Sequence, residues 1–180
     1  MKILWGITGS GDKIEDTVSI MLKLQKKYEL DIRVALSKNG EKVARMYEVW
    51  EKLESGSKEV LVERGPNEPW LVGPLQIGKY DIFLVCPATA NTVAKIAHGI
   101  ADSLISNCVS QSVKANKEVY IYPVDQKLGE TTTILPNGKK LTLTIREIDL
   151  ENSEKLKTMK GITVISQLDD IEGIIKKHLT

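Results

Sequence analysis

Apolar and polar positions alternate in blocks along this chain of 180 residues. Short apolar runs with β-branched residues predict strands, and the first is a continuous run typical of a parallel strand covered on both faces. The predicted strands lie at 2–7, 31–36, 58–62, 80–86, 118–122 and 162–165. Apolar residues at spacings of three and four predict helices between them. The predicted helices follow residue 14 and lie at about 41–53, 89–98, 100–116, 154–159 and 168–179.

This alternation of strands and helices predicts an α/β fold, a Rossmann-like (flavodoxin-like) doubly wound parallel sheet. Residues 63–78 hold three prolines and three glycines, which predicts a loop or a series of turns. Pro136-Asn137-Gly138 separates two threonine-rich runs and predicts a β-hairpin. The hairpin reads as an insertion in the last crossover, at about 125–150. Since this insertion is too short to fold alone, we expect a single domain over 1–180.

Charge and cysteine content narrow the function classes. The formal net charge is +1, from 25 basic and 24 acidic residues, which gives no electrostatic argument for nucleic acid or an anionic membrane. No apolar run has the roughly 18 residues of a membrane span, and the first strand leaves no room for a signal peptide. Cys86 and Cys108 lack a metal-ligand spacing. They are typical of buried free thiols in a cytoplasmic protein.

Two strand ends carry residues suited to a phosphate. Gly9, Ser10 and Gly11 follow the first strand, where glycine permits a sharp bend and the next helix offers free N–H groups. The alternative is a tight turn with Ser10 or Asp12 as the helix N-cap. Ser37 follows the second strand. Its hydroxyl either joins the same phosphate or caps a helix that starts near residue 38.

A longer motif follows the strand at 80–86. Small residues there permit the backbone to approach a flat ligand, and the run 87–104 closely resembles the P-A-S-A-N-T…A-K-I-A-x-G-I-A-D-N-L-L signature of an FMN-binding flavoprotein superfamily. Its members include phosphopantothenoylcysteine and lantibiotic cysteine decarboxylases and flavin prenyltransferases. The resemblance implies FMN as cofactor, a trimer or dodecamer, and FMN near the subunit interface. It also implies a cofactor site of Gly9, Ser10, Gly11, Ser37, Pro87, Ala88, Thr89, Ala90, Asn91 and Thr92.

Departures from the decarboxylases are equally informative. Gly73 occupies the position of their catalytic histidine, and residues 123–130 lack the Met, Asn and Trp of their substrate motif. No cysteine follows Cys108, so their reactive flap cysteine has no counterpart. Decarboxylation is therefore not expected, and we assign no catalytic residue and no metal site.

The whole chain resembles the archaeoflavoprotein branch of that superfamily. The resemblance rests on Trp5-Gly6-Ile7-Thr8-Gly9-Ser10-Gly11-Asp12-Lys13, on 123–126 and on the hairpin at 135–139. It implies an FMN electron carrier whose partners are ferredoxin or an iron-sulfur flavoprotein. A neighbouring branch, the acceptor-type dihydromethanopterin reductase, implies FMN-dependent pterin reduction instead, and the residues do not separate the two.

Five further side chains have candidate roles. His98 ends a predicted helix, where a packing role is expected, and Asp102 either caps the next helix or holds a loop. Trp70 covers a flavin face or an interface, or it packs under its loop. Arg146 pairs with an acid, faces a neighbour's FMN phosphate, or is a surface charge. His178 is expected to be an ordinary solvated helix residue.

Overall fold

The computed structural model describes residues 1–179, which fold around a six-stranded parallel sheet with the order β3-β2-β1-β4-β5-β8. The sheet strands are β1 (Lys2–Ile7), β2 (Asp31–Leu36), β3 (Glu59–Val62), β4 (Ile82–Ala88), β5 (Val119–Pro123) and β8 (Ile162–Val164), and the hairpin is β6 (Gly129–Ile134) and β7 (Lys140–Ile145). The helices are α1 (Ile14–Tyr28), α2 (Lys38–Met46), α3 (Trp50–Gly56), α4 (Pro69–Gln76), α5 (Ala90–Ala97), α6 (Leu104–Lys114), α7 (Glu147–Lys157) and α8 (Asp170–Leu179). The predicted fold class is confirmed.

Two apolar cores cover the two faces of the sheet. One packs α1, α3 and α8 around residues such as Trp5, and the other packs α4, α5, α6 and α7 around residues such as Phe83. Every residue of β4 is buried, as expected for a central parallel strand with helices on both faces. Both predicted thiols, Cys86 and Cys108, are buried and free.

Two helix predictions are wrong. Residues 63–78 contain α4, although Pro74 lies inside that helix, because Pro69 sits in its first turn and Leu71, Val72 and Leu75 are buried against the sheet. The single helix predicted at 41–53 is two helices. Glu48 adopts φ 55 between α2 and α3, which breaks the helical path. Burial outweighs composition in the first case, and local backbone geometry decides the second.

Two helix boundaries also differ from the prediction. The helix expected to begin at residue 100 begins at Leu104, after the capping residue Ser103. The short helix expected at 154–159 is α7, which begins at Glu147 and so directly follows the hairpin. Within residues 1–179, no helix combines the length and the apolar character needed to cross a bilayer.

The hairpin forms its own two-stranded sheet in the last crossover, as predicted. Its antiparallel register pairs Thr133 with Leu141 and Thr131 with Leu143. Leu141 is 38% and Leu143 48% exposed, so this face retains apolar surface. One link to the body is the Tyr47 hydroxyl, which donates to the Ile134 carbonyl at 3.0 Å.

The strand order sets the position of the candidate site. From β1 the chain crosses to β2 and β3 on one side, and from β4 it crosses to β5 and β8 on the other. The carboxyl ends of β1 and β4 therefore flank the switch point, where open α/β sheets bind ligands.

Candidate functional site

Thr8 joins the loops that follow β1 and β4. Its amide and its hydroxyl both donate to the Pro87 carbonyl, at 3.2 and 2.8 Å, and its Oγ1 accepts from the Thr89 amide at 2.9 Å. The residue is only 1% exposed. Because three hydrogen bonds converge on one buried threonine, the two loops form one fixed unit at the switch point.

The glycines of the β1 loop are required by packing inside the protein. A Cβ on Gly9 would lie 2.6 Å from the Asn39 Cβ, and a Cβ on Gly11 would collide with the ring and hydroxyl of Tyr47. Gly9 thus lets the β1 loop lie against the start of α2. Gly11 faces the tyrosine that holds the hairpin.

Neither N-cap predicted in the β1 loop is present. The Ser10 hydroxyl donates to the Asp12 carbonyl at 2.9 Å, so it shapes the loop. The residue before α1 is Lys13, in the left-handed region at φ 64, and it has no side-chain capping bond. Burial raises the pKa of the half-buried Asp12 carboxyl, with smaller opposing contributions from its neighbour Lys13.

The β2 loop ends in a conventional helix cap. The Ser37 Oγ accepts from the Gly40 amide at 2.9 Å, which confirms the capping interpretation of Ser37. The Lys38 amide donates to the Glu63 carboxylate at 3.1 Å. The first turn of α2 is therefore already neutralised in part by a carboxylate of the chain, a feature that sequence reasoning missed.

The β4 loop presents the start of a second helix. The Thr89 Oγ1 accepts from the Thr92 amide at 3.3 Å and caps α5, while the Asn91 side chain is exposed in the first turn. Ser103 caps α6 with a reciprocal bond to Ser106. Three helices thus begin around one cleft, and their N–H groups and dipoles favour an anion there.

The cleft has a volume of about 450 Å³, within the usual range of small-molecule sites. Of the predicted site residues, the cleft is lined by Gly9, Ser37, Thr89, Asn91 and Thr92. The other predicted residues, Ser10, Gly11, Pro87, Ala88 and Ala90, do not line this cleft. Ser10, Pro87 and Ala88 are buried, and Gly11 lines a separate cleft against the hairpin. Sequence reasoning did not place in the cleft the further lining residues Lys38, Asn39, Glu63, Lys95, Asp102 and Ser103.

An ion pair crosses the α5 side of the cleft. The Lys95 Nζ lies 2.8 Å from an Asp102 carboxylate oxygen. Asp102 therefore does not cap α6, as one interpretation expected, and it holds the segment between α5 and α6. The two residues are seven positions apart, and a glycine interrupts the helix between them. No helical spacing in the sequence therefore predicts their contact.

Residues near β5 form a second polar group. Arg146 makes two bonds to Asp149, at 2.8 and 2.7 Å, and its side chain is 71% exposed, so it is a surface charge that pairs with an acid. The hydrogen bonds from Arg146 lower the pKa of Asp149. The pKa of Asp125 is raised, first by burial and then by the negative charges of Asp149 and Asp12.

The structure also gives contacts for His98, Trp70 and His178. His98 bonds through Nε2 to the Asn152 Oδ1 at 2.9 Å and so ties α5 to α7, as the packing role expected. Trp70 is 51% exposed and donates to Glu68 at 2.7 Å, so it does not pack under its loop. His178 is an exposed residue in the last turn of α8, as expected, and its Nε2 also lies 3.0 Å from the Tyr120 hydroxyl, which links α8 to the sheet.

Both thiols stay protonated and unreactive at neutral pH. Burial raises the pKa of Cys86 and of Cys108 to about 12 each. The Cys86 Sγ lies 3.5 Å from the Thr17 hydroxyl inside the first core. At neutral pH neither thiol supplies a thiolate to the cleft.

The chain is similar to known proteins along almost its whole length. The model of the flavoprotein family matches residues 1–177. The chain is 54% identical over 179 residues to an uncharacterised protein of Methanocaldococcus jannaschii, covering 99% of this chain and 96% of that one. It is 38% identical over 160 residues to the acceptor-type dihydromethanopterin reductase of the same organism, covering 83% of this chain but only 65% of the reductase.

A solved structure agrees with the fold. The crystal structure of Burkholderia xenovorans DmrB in complex with FMN, described as a cubic protein cage for redox transfer, superposes with a TM-score of 0.82 at 27% identity. The match covers 99% of this chain and 94% of DmrB. The family match over nearly the whole chain and the shared fold lead to one conclusion: the chain belongs to the flavoprotein family.

Proposed function

We propose that this protein binds FMN in the cleft at the switch point and transfers electrons between ferredoxin and a second redox protein, such as an iron-sulfur flavoprotein. The observation that carries the proposal is the convergence of the loops after β1, β2 and β4 on one cleft of about 450 Å³ at the start of three helices. Family membership and the FMN complex of DmrB support the choice of cofactor.

The residues fit the cofactor at both ends. Ser37, Asn39 and Gly9 meet where α2 begins, and a phosphate there lies in the field of the helix dipole. Small residues at 88–90 leave the backbone of the β4 loop open to a flat ring, and the exposed Asn91 amide offers both a donor and an acceptor. Ser10, Pro87 and Ala88 support this lining through the β1 and β4 loops, and Gly11 lies against Tyr47.

FMN, when bound, supplies the one- and two-electron redox chemistry, and the protein sets access and electrostatics. Thr8 keeps the β1 and β4 loops at a fixed separation, so the phosphate end and the ring end of the cleft stay in register. Lys95, whose charge is partly balanced by Asp102, places a cation on the α5 side. Glu63 places a carboxylate at the start of α2, where its negative charge repels the phosphate of FMN.

A second candidate function is FMN-dependent reduction of a dihydropterin. The observation in its favour is the 38% identity to an enzyme named dihydromethanopterin reductase (acceptor). Decarboxylation is disfavoured, because Gly73 lies within α4 at the position of the decarboxylase histidine.

We further propose that the protein works in the cytoplasm as a homo-oligomer, a trimer or dodecamer, with FMN near the subunit interface. The apolar hairpin face, with Leu141 and Leu143 exposed, supports an assembly because a lone two-stranded sheet is marginal in water. DmrB is described as a cubic cage. The buried thiols Cys86 and Cys108 suit a reducing compartment.

Anaerobic reduction tests the electron-carrier proposal. The FMN-loaded protein is mixed with reduced ferredoxin, with NADH or with NADPH, and flavin bleaching is followed. We expect bleaching by ferredoxin alone and rapid reoxidation by an iron-sulfur flavoprotein. Reoxidation by dihydropterin, with formation of tetrahydropterin, would select the reductase instead. Reduction by NADH or NADPH with no response to ferredoxin contradicts the proposal.

A further inference from the structure

A second charged cleft lies at the opposite edge of the sheet, where the parallel strands begin. Its volume is about 250 Å³. Four chain segments meet there, because the starts of neighbouring parallel strands share one edge. The lining residues are Lys2, Asp31, Arg33, Lys58, Pro74, Lys79 and Tyr80.

Positive charge dominates this lining. Lys58 is paired with Asp31 at 3.2 Å, and Arg33 is paired with Glu59 at 3.3 Å. The ammonium groups of Lys2 and Lys79 form no ion pair within residues 1–179. Two cations therefore remain in the lining without a carboxylate of their own.

The nearest other charges do not cancel this excess. The Asp81 carboxylate accepts from the Lys2 backbone amide at 2.6 Å, so one acid lies close to the rim. The Lys117 ammonium lies on the same side, since a Cβ on Gly78 would come within 2.8 Å of its Nζ. These two groups add one negative and one positive charge, so the net positive charge around the cleft is unchanged.

The cleft also offers directional donors. The Arg33 guanidinium and the half-buried Tyr80 hydroxyl both line the cleft, and burial raises the pKa of that hydroxyl, which keeps its proton. A guanidinium beside ammonium groups matches the oxygen atoms of a phosphate. The like charges repel one another in the empty cleft, and a dianion would relieve that repulsion.

We propose that this cleft binds the phosphate group of a small phosphate ester. The cleft is separated from the flavin cleft by the length of the six-residue strand β1, about 20 Å. Phosphate binding here is therefore independent of FMN, and the ligand does not compete with the FMN phosphate. The two unpaired lysines make the principal contribution to its affinity.

Isothermal titration of the FMN-saturated protein with inorganic phosphate, and then with glycerol 3-phosphate, tests the proposal at low ionic strength. We expect one saturable site per chain. The variants Lys2→Ala and Lys79→Ala each weaken binding by about ten-fold. Asp31→Asn acts in the opposite direction and strengthens binding, because it removes a negative charge and releases Lys58.

Lys155→Ala, an exposed lysine on α7 at another part of the surface, is the matched control and leaves the affinity unchanged. Thermal unfolding of each variant confirms that it is folded. The proposal is overturned if no saturable binding occurs, if Lys155→Ala weakens binding as much as Lys79→Ala, or if phosphate displaces FMN. A protein that binds no FMN refutes the proposed function alone, since the lysine dependence is still measured on that protein.

Discussion

Gly9→Ala tests whether the contact between the β1 loop and α2 shapes the flavin cleft. The added Cβ would lie 2.6 Å from the Asn39 Cβ and 3.0 Å from the Asn39 carbonyl carbon. The first distance is about 0.8 Å shorter than the 3.4 Å at which ordinary contact begins. Because backbone atoms are involved, Asn39 must move with the first turn of α2.

Overpacking of this kind costs about 1–3 kcal/mol. The variant relieves the clash by displacing Asn39, whereas FMN bound as proposed needs the original arrangement of the β1 loop and α2. The relaxation energy therefore opposes binding, and the dissociation constant of FMN rises by about 5- to 150-fold.

Quenching of FMN fluorescence on binding measures this affinity. Gly65→Ala is the matched control, because a Cβ there meets no atom within 4 Å. We expect Gly65→Ala to bind FMN as the parent protein does. If Gly9→Ala also binds FMN with parental affinity and unfolds at the parental temperature, the close approach of Gly9 to α2 does not shape the site.

Three further predictions address the loops and the charges. Thr8→Val removes a buried hydroxyl of the β1 loop that donates to the Pro87 carbonyl and accepts from the Thr89 amide, both in the β4 loop. The free energy of unfolding in urea therefore falls by about 1–3 kcal/mol, and an unchanged value contradicts the bridging role. Glu63→Gln keeps an acceptor for the Lys38 amide and removes the negative charge. Fluorescence titration is therefore expected to show FMN binding about 2- to 5-fold tighter. Weaker binding would argue against a phosphate near α2. Asp149→Asn destabilises the protein at pH 7, because the native pKa of Asp149 is lowered by Arg146 and this stability exists above the unfolded value. The difference in unfolding free energy narrows as the pH falls below the ordinary aspartate value of about 3.8, and a constant difference would rule out the charge as its cause.

Periodicity and strand composition were sufficient to predict the sheet, its helical layers and the hairpin. The failures have local causes. Gly73 and Pro74 argue against a helix in isolation, but burial of Leu71 and Leu75 stabilises α4 over its eight residues. The break at Glu48 depends on one residue in the left-handed region. Neither effect is visible in a pattern of apolar positions.

Of the residues that line the cleft, those directly after a strand were predicted best. The loops after β1, β2 and β4 were identified because a strand end followed by small residues has a regular position in an α/β sheet. Lys95, Asp102 and Glu63 were missed as cleft residues, because their arrangement depends on how α5, α6 and β3 pack together. Ser37 shows a different limit, since a capping residue and a phosphate ligand have the same sequence pattern.

The most direct test of the central claim is the cofactor content of the protein purified without added flavin. The visible spectrum is recorded, the chromophore is released by denaturation and identified by chromatography, and its amount is compared with that of protein. We expect a flavin spectrum and FMN at about one molecule per chain. A colourless protein that also fails to bind added FMN would contradict the central claim, and the three loops at the switch point would then be ordinary strand–helix turns.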